Sequence, residues 1–551
     1  MKTRDAIILL VGVPGIAFAP MLVNGGVSWD SWLLFWDGIA DSRDHLARWY
    51  WDSGKPQLYY LHAALLGLPD FVTWYRVLAF VSLLAWPVLF WLILRETRLL
   101  SEERSLHAAL FAGTYPAFVV GHGLILLPYV LAVVLFLGGT LLLIRSSGSE
   151  RARPGAVEVL SAFALFLFSF TISSLLAFYL AVWGAWVWIG ASNRRRSVAA
   201  ELFANRALYA AGLALPFLAY GFELLLFPAR GWYQNYNVIA FSRDSVEAFA
   251  SGLFWSFSAP FTRVASTLVE APVASAIAAA LLGGAVAAVA ARGRRAAGDV
   301  ASLPSRSVVL FAVCWLALAV VPYAAVGKLP KASAWDSRHA LIVGFPIALL
   351  LAEGVAVLSR GVGRTAAAVL AGLLVAGFAQ VQYRSQMAWL VRSAKDAAIV
   401  CSLSEQPPAE QSVYWIRDRT GLGPAERYRY YAWSSLLKSA WGDNTRLALT
   451  AGSTHERQIA RARRKIRQGH RPMLRDVDFA GTHARIDVSA ALEDTSNLGI
   501  LRALAAGAAR GPTDTCPRWP LVHVVVEPAE ADVVRAWERL LRGTEDAAAQ
   551  K

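Results

Sequence analysis

The sequence predicts an all-α polytopic membrane domain followed by a small extracytoplasmic α/β domain. Hydrophobic residues make up 56% of the chain and charged residues only 17%, with a mean hydropathy of +0.44, which is too apolar for a soluble protein. About eleven apolar segments approach the roughly 20 residues needed to cross the bilayer. From residue 384 onward the composition becomes that of a soluble domain. We therefore predict a membrane domain at 1–383 and a second domain at 384–551.

The predicted spans alternate with basic connections. Arg194-Arg195-Arg196 is one such connection, and the alternation places the amino terminus in the cytoplasm and, with an odd number of spans, the carboxy-terminal domain outside. The blocks 106–144 and 157–191 each allow one long tilted helix instead of two short ones, which leaves this sidedness unchanged. The predicted spans are 6–23, 74–94, 106–121, 122–144, 157–172, 173–191, 207–227, 267–291, 307–326, 340–358 and 365–383.

The net charge and the first apolar segment argue against a nucleic-acid-binding protein and against a cleaved signal peptide, respectively. The net charge of +14 fits basic cytoplasmic loops and anionic headgroups, and no basic face coincides with a nucleic-acid motif, so we expect no nucleic-acid partner. Residues Ala17-Phe18-Ala19 resemble a signal-peptide cleavage site, but Pro20 follows directly. We expect the segment 6–23 to remain as the first membrane helix.

Three regions are predicted outside the cytoplasm. The first loop, 24–71, should carry one or two helices in the membrane interface. The loop 228–266 mixes aromatic, amide and charged residues, as a lid over a sugar would, although an ordinary ordered loop is equally compatible. In the third region, 384–551, strand-like and helix-like segments predict the α/β domain. Cys401 and Cys516 could form a disulfide there or remain buried thiols.

Acidic residues of the first loop are the candidate catalytic groups. Asp30 follows the first span between Trp29 and Trp32, where partial desolvation would raise its pKa toward that of a useful general base. The alternative is that Asp30 caps a helix. Three further acids share one face if the stretch is a continuous helix, either as a site or as a solvated face: Asp37, Asp41 and Asp44.

Cations predicted on the outer side are the candidate phosphate ligands. Lys55 opens a Lys-Pro element that leads into an aromatic helix with Tyr59 and Tyr60. A second group follows the ninth span: Lys328, Lys331, Arg338 and His339. One cation–phosphate contact at 4 Å contributes about 4 kcal/mol before desolvation at an effective dielectric constant near 20. The alternatives are interfacial anchors for the two lysines, and an ion pair with Asp336 for Arg338-His339.

Two more residues are candidates on weaker grounds. His122, within Gly121-His122-Gly123, lies between two short predicted helices and could orient a substrate, or it could simply be a hydrogen-bonded interfacial histidine. Glu223 lies one turn before the outer end of the seventh span, and an intramembrane acid is a site candidate by default. The loop that follows Glu223 could instead solvate its carboxylate.

These motifs together resemble the GT-C superfamily of integral-membrane glycosyltransferases. The resemblance covers about residues 1–383 and includes an acid soon after the first span, the "KPQLYY" entry into an aromatic helix, paired short helices, and "RHALIVGFPIALLLA" opening a late span. Such enzymes use polyprenyl-phosphate sugars, as do the aminoarabinose transferases and the protein O-mannosyltransferases. The resemblance implies that Asp30 is the general base, that Lys55 and Arg338 hold the lipid phosphate, and that the protein lies in a bacterial inner membrane.

The implied reaction is an inverting transfer of a sugar to an acceptor hydroxyl of a glycan, a lipid or a protein. Where many members of the superfamily carry a second acid, this chain has His122, which argues against a divalent metal because hard cations need several oxygen ligands; Asp37 could supply one. Three other functions remain open. They are a lipid-linked-sugar polymerase or ligase, which would use arginines in a large outer loop, a flippase with charges at the bilayer midplane, and an inactive scaffold.

Overall fold

The computed structural model contains two compact units. One comprises Met1–Leu22, Tyr50–His122 and Leu126–Gln386, and the other comprises Val23–Trp49, Gly123–Ile125 and Met387–Lys551. We call them the membrane unit and the carboxy-terminal unit. The residues described are 3–39, 43–147, 155–172, 174–234, 238–240, 242–270, 272–294, 305–329, 331, 334–406, 412–424, 428–442, 445–451, 477–479, 481–492, 494, 499–500, 502–503, 521–531, 533–535 and 537–538.

Helices make up most of the described chain, and the strands lie near its end. The helices are α1 (Thr3–Phe18), α2 (Ser31–Ile39), α3 (Arg43–Asp52), α4 (Pro56–Leu66), α5 (Phe71–Thr97), α6 (Glu102–Thr114), α7 (Leu127–Ser146), α8 (Ala156–Ser169), α9 (Ser174–Asn193), α10 (Val198–Ala204), α11 (Arg206–Leu226), α12 (Arg243–Glu270), α13 (Pro272–Arg294), α14 (Ser305–Ala324), α15 (Gly344–Gly361), α16 (Arg364–Ser404) and α17 (Tyr430–Trp441). The strands are β1 (Val413–Asp418), β2 (Leu447–Thr450), β3 (His483–Ala490) and β4 (Val522–Pro528).

Eight helices in the described part of the chain are long and apolar enough to cross a membrane: α1 with its 3₁₀ continuation to Val23, α5, α7 with the 3₁₀ turn before it, α9, α11, α14, α15 and α16. The protein is therefore a multi-pass membrane protein, as its composition predicts. The predicted spans 106–121, 157–172 and 267–291 correspond to α6, α8 and α13, which are not among these eight. The number eleven accordingly stays a prediction.

Several elements differ from the sequence-based boundaries. Helix α6 ends at Thr114, two residues before Pro116, whose ring disfavours a helical conformation in the residue that precedes it. The loop predicted at 228–266 is helical from Arg243 onward, as α12. In the first loop the boundaries agree: α2 and α3 are the predicted interfacial helices, and α4 is the predicted aromatic helix after Lys55-Pro56.

The membrane unit is centred on α5 and α14. Helix α5 packs against α1, α6 and α7, and α14 packs against α9, α12 and α15. At Gly113 a Cβ atom would lie only 2.9 Å from the Pro87 ring, so this glycine allows the close approach of α6 to α5. An ion pair of 3.3 Å between Arg104 and the buried Glu353 joins α6 to α15.

Helix α16 belongs to both units. Its 41 residues give a length of about 60 Å, roughly twice the thickness of the hydrocarbon core. The unit boundary falls within it, after Gln386, close to the predicted domain boundary at 384. The helix is therefore longer than one crossing requires, and its last five turns, from Met387 to Ser404, belong to the carboxy-terminal unit.

The carboxy-terminal unit contains a four-stranded sheet in the order β2-β1-β3-β4. Strands β1, β2 and β3 are parallel, and β4 is antiparallel to β3. Helix α17 connects β1 to β2, and alternate residues of β3 are buried. The predicted α/β domain is confirmed, and the predicted strands "SVYWI" and "PLVHVVV" coincide with β1 and β4. The predicted helix at 456–467 lies outside the described residues.

The predicted disulfide joins Cys401, which the structure describes, to Cys516, which it does not. Cys401 is disulfide-bonded and Cys314 is a free, exposed thiol. Cys516, the predicted partner of Cys401, lies outside the described residues, so this pairing stays a prediction.

Candidate functional site

Asp30, the predicted base, lies in a turn directly before α2. Its carbonyl oxygen accepts a hydrogen bond of 3.0 Å from the Leu33 N–H, and the residue is half-buried. Trp29, the preceding residue, is 3% exposed, has φ of +49°, and lies 4.4 Å from the Trp389 ring, centroid to centroid. The position is that of a helix cap, which is the predicted alternative for Asp30, and its catalytic role stays a prediction.

Asp37 is not part of a solvated acidic face. Helix α2 ends at Ile39 and α3 begins at Arg43, so Asp37 and Asp44 lie on separate helices; Asp41 lies outside the described residues. Asp37 is 3% exposed and its Oδ2 lies 3.0 Å from His45 Nδ1. Asp37 therefore forms a buried pair with a histidine, and the common face of Asp37, Asp41 and Asp44 stays a prediction.

Lys55 and Glu223 form an ion pair in the membrane unit. Lys55 Nζ lies 2.6 Å from Glu223 Oε1 and 2.7 Å from Oε2, although the two residues are far apart in sequence. Burial lowers the pKa of Lys55, an effect that the neighbouring carboxylate partly offsets. Glu223 is thus held by a lysine instead of facing solvent, and Lys55 approaches any phosphate only together with this carboxylate.

The backbone around Lys55 holds the pair in place. Gly54 has φ of +74°, which favours glycine, and a Cβ there would lie 2.7 Å from the Phe227 carbonyl oxygen. The Arg230 N–H donates to the Asp52 carbonyl at 2.8 Å. On α4 the two predicted tyrosines lie side by side with centroids 5.2 Å apart, Tyr59 half-buried and Tyr60 65% exposed.

A second set of cations lies on the 3₁₀ helix Ala334–Ala340 and on the loop after α14. Arg338 is 7% exposed, donates to the Trp335 carbonyl at 2.8 Å, and has its guanidinium 4.4 Å from the Trp335 ring centroid. It also lies 3.7 Å from the Asp336 carboxylate, which is the predicted alternative pairing. His339 lies against Tyr323, with ring centroids 4.9 Å apart.

The electrostatics show that Lys328 belongs to the same set. Burial, together with Arg338, lowers the pKa of Lys328 to about 8, and Asp336 partly offsets this effect. Burial and the charges of Arg338 and Lys328 lower the pKa of His339 to about 3, so this imidazole is neutral at physiological pH. We call Lys328, Arg338 and His339 the cation cluster. Lys331 differs in being exposed, as an interfacial anchor would be.

The loop with His122 packs beside this cluster. The Val119 N–H donates to Ser337 Oγ at 3.3 Å, and Gln382 of α16 donates to the Phe118 carbonyl at 3.1 Å. His122 itself is buried, with 1% of its surface exposed. The loop 115–122 therefore supports the 3₁₀ helix that carries Arg338, and burial favours the hydrogen-bonded reading of His122.

An apolar cavity of about 400 Å³ lies between α5, α7, α9, α14 and α15. Its lining is almost entirely aliphatic and aromatic and includes Phe90, Leu137, Leu180, Cys314 and Leu349. Two of the lining helices, α14 and α15, lead directly to the loop and the 3₁₀ helix of the cation cluster. Leu318, the last lining residue on α14, lies about 9 Å along the helix from its end at Ala324.

The described residues offer no group of three histidine, cysteine, aspartate or glutamate side chains that could hold a metal ion. Asp37, the candidate second oxygen ligand, is buried against His45. Among the described residues, this acid is therefore paired with a histidine and not grouped with further oxygen ligands.

Comparison with known proteins adds a likeness of overall structure. The chain resembles ArnT along nearly its whole length. The crystal structure of ArnT from Cupriavidus metallidurans bound to undecaprenyl phosphate has a TM-score of 0.39 and 12% identity, with 96% of this chain and 99% of that chain covered. The apo structure of the same protein has a TM-score of 0.33 and 14% identity, with 96% and 98% covered.

Both structures are of ArnT, one with bound undecaprenyl phosphate and one in the apo state. Because both TM-scores are low, neither structure fixes the role of any residue in this chain. No protein-family model and no curated protein matches the chain.

The structure thus groups the predicted residues in ways that their sequence positions do not reveal. It brings Lys328, Arg338 and His339 together, and it joins Lys55 to Glu223. Sequence reasoning missed His45 and the apolar cavity. The only feature of the sequence that could have indicated His45 is its position eight residues after Asp37. The cavity could not be predicted, because the residues that line it are those of any membrane helix.

Proposed function

We propose that this protein is a membrane glycosyltransferase that takes a sugar from a polyprenyl-phosphate donor and transfers it to an acceptor hydroxyl. One observation carries the proposal: the cation cluster and the apolar cavity lie along the same two helices, α14 and α15. A polyprenyl phosphate has the matching form, with an anionic head joined to a long apolar chain. The likeness to ArnT, crystallised with undecaprenyl phosphate, agrees with this ligand class.

We assign the binding of the donor's phosphate group to Lys328 and Arg338. A sugar linked to polyprenyl phosphate is a phosphodiester, and two cations match its negative charge and the additional charge that develops on the leaving phosphate. The neutral His339 can donate a hydrogen bond to the same group without adding charge. The isoprenoid chain is assigned to the cavity, whose lining offers it contacts like those of the bilayer interior.

The reaction is an in-line displacement at the anomeric carbon. The acceptor oxygen forms a bond to that carbon as the bond to the phosphate oxygen breaks, and the phosphate leaves with the electron pair. The acceptor proton passes to the Asp30 carboxylate, the base that the sequence predicts. A phosphate leaves as an anion, so no second carboxylic acid is needed, in contrast to glycoside hydrolysis.

The donor is tested with the purified protein and polyprenyl-phosphate sugars that differ in the sugar. We expect one of them to be consumed with release of polyprenyl phosphate, detected by mass spectrometry. Polyprenyl phosphate should also protect Cys314, which lines the cavity, from a maleimide reagent. In a Leu318→Trp variant, where an indole would fill the same cavity, that lipid should give no further protection. Unchanged labelling of Cys314 in the wild type at saturating lipid would contradict the assignment of the cavity.

A further inference from the structure

We propose that the carboxy-terminal unit positions the catalytic base, by holding the segment before Asp30 on the outer turns of α16. The inference rests on the proposed function for the role of Asp30, and it concerns what fixes that residue in place. Lys55, Lys328 and Arg338 all belong to the membrane unit, so the carboxy-terminal unit contributes through Asp30 alone.

The segment 23–49 belongs to the same compact unit as residues 387–551. Trp29 packs on Trp389, with ring centroids 4.4 Å apart. Gly26 passes so close to α16 that a Cβ there would lie 2.5 Å from the Ser393 Cβ. Helix α2, which begins directly after Asp30, packs on α17. Asp30 is therefore held on both sides by the carboxy-terminal unit.

The backbone at Trp29 shows that this contact determines its conformation. A φ of +49° is unfavourable for a residue with a large side chain, and such a conformation persists only where the surroundings fix it. Trp29 is 3% exposed and its indole lies against Trp389. The unusual φ belongs to the residue directly before Asp30. The contact between the two tryptophans therefore sets the direction in which the Asp30 side chain projects from the backbone.

The part of α16 that makes these contacts is itself anchored to the sheet. Lys395 Nζ lies 2.8 Å from the Asp418 carboxylate at the end of β1 and 3.0 Å from the Leu422 carbonyl. One turn earlier on α16, the Arg392 guanidinium lies 3.8 Å from the ring centroid of Tyr428, whose hydroxyl donates to Asp396. The α/β fold thus gives Trp389 and Ser393 a rigid support.

The test is a size exchange between Gly26 and Ser393. In Gly26→Ala the new methyl group must push the segment away from α16, and we expect kcat to fall by about 10- to 100-fold with little change in donor KM, since the cations lie in the membrane unit. Adding Ser393→Gly removes the colliding atoms. The double variant should therefore recover to within about threefold of Ser393→Gly alone, a recovery that general destabilisation would not produce.

A second pair of variants keeps the test informative if Gly26→Ala folds poorly. Trp389→Ala should lower kcat, whereas Trp389→Phe, which keeps an aromatic ring against Trp29, should retain most of it. Trp441→Phe alters another tryptophan of the same unit, whose indole donates to the Leu403 carbonyl, and serves as the control for domain stability. Full activity in both Gly26→Ala and Trp389→Ala would overturn the inference.

The placement can also be measured without activity. Hydrogen exchange of residues 23–30, followed by mass spectrometry, should become faster in Trp389→Ala and stay as in the wild type in Trp441→Phe. If the exchange responds in this way but the wild type transfers no sugar from any donor, the proposed function fails while the placement stands. Unchanged exchange of residues 23–30 in a folded Trp389→Ala variant would refute the placement alone.

Discussion

The lowered pKa of Lys328 makes the donor step sensitive to pH in a range where an ordinary lysine would not be. Burial and Arg338 lower this pKa to about 8, with Asp336 opposing them, from an ordinary value of 10.5. Only the protonated amine attracts a phosphodiester, and the diester does not titrate in this range. The fraction of protonated Lys328 falls from about 0.9 at pH 7 to about 0.1 at pH 9. Donor kcat/KM, which reports groups of the free enzyme, should therefore fall about tenfold over this interval.

The assay is donor consumption at subsaturating concentration from pH 6.5 to 9.5 at constant ionic strength. In Lys328→Arg the guanidinium stays charged, so the fall should disappear. Lys331→Arg is the matched change at the exposed neighbouring lysine and should keep the fall, because Lys328 is intact. His339, with a pKa of about 3, does not titrate in this interval. A wild-type kcat/KM that stays flat to pH 9.5, or an identical fall in Lys328→Arg, would refute the reasoning.

Three further variants test the remaining assignments. Asp30→Asn should lower kcat by about 10²- to 10⁴-fold with an unchanged melting temperature, and normal turnover would exclude Asp30 as the base. The resemblance to GT-C enzymes implies that Lys55 also contacts the lipid phosphate, so Lys55→Met should raise donor KM by about 10- to 100-fold through the lost charged contact. Pairing it with Glu223→Leu removes the unpaired carboxylate, so the double variant should regain stability in a thermal-shift assay and keep the high KM; a normal KM would mean that the pair is only structural. Lys395→Met should destabilise the carboxy-terminal unit by about 3–5 kcal/mol because Asp418 loses its buried partner; unchanged hydrogen exchange in β1 would contradict this.

The acids of the first loop show why a local pattern is insufficient to define a site. Helical spacing predicts helices in this loop, as α2 and α3 show, but it does not predict that Asp37 is buried instead of lying on a solvated face. The burial of Asp37 against His45 depends on how α2 and α3 fold back on each other, which no periodicity records. The same loop belongs to a compact unit with residues more than 300 positions later.

The sequence alone determined the membrane class, most of the spanning helices, the soluble α/β domain and the candidate acids and cations. Hydrophobic runs, charge bias and alternation act locally along the chain, so they can be read without knowing what packs against what. Only the tertiary structure decided the pairing of Lys55 with Glu223, the grouping of Lys328 with Arg338, the cavity between α5, α7, α9, α14 and α15, and the support of Trp29 by α16. Each of these depends on contacts between segments distant in sequence, and such contacts are set by the packing of whole helices.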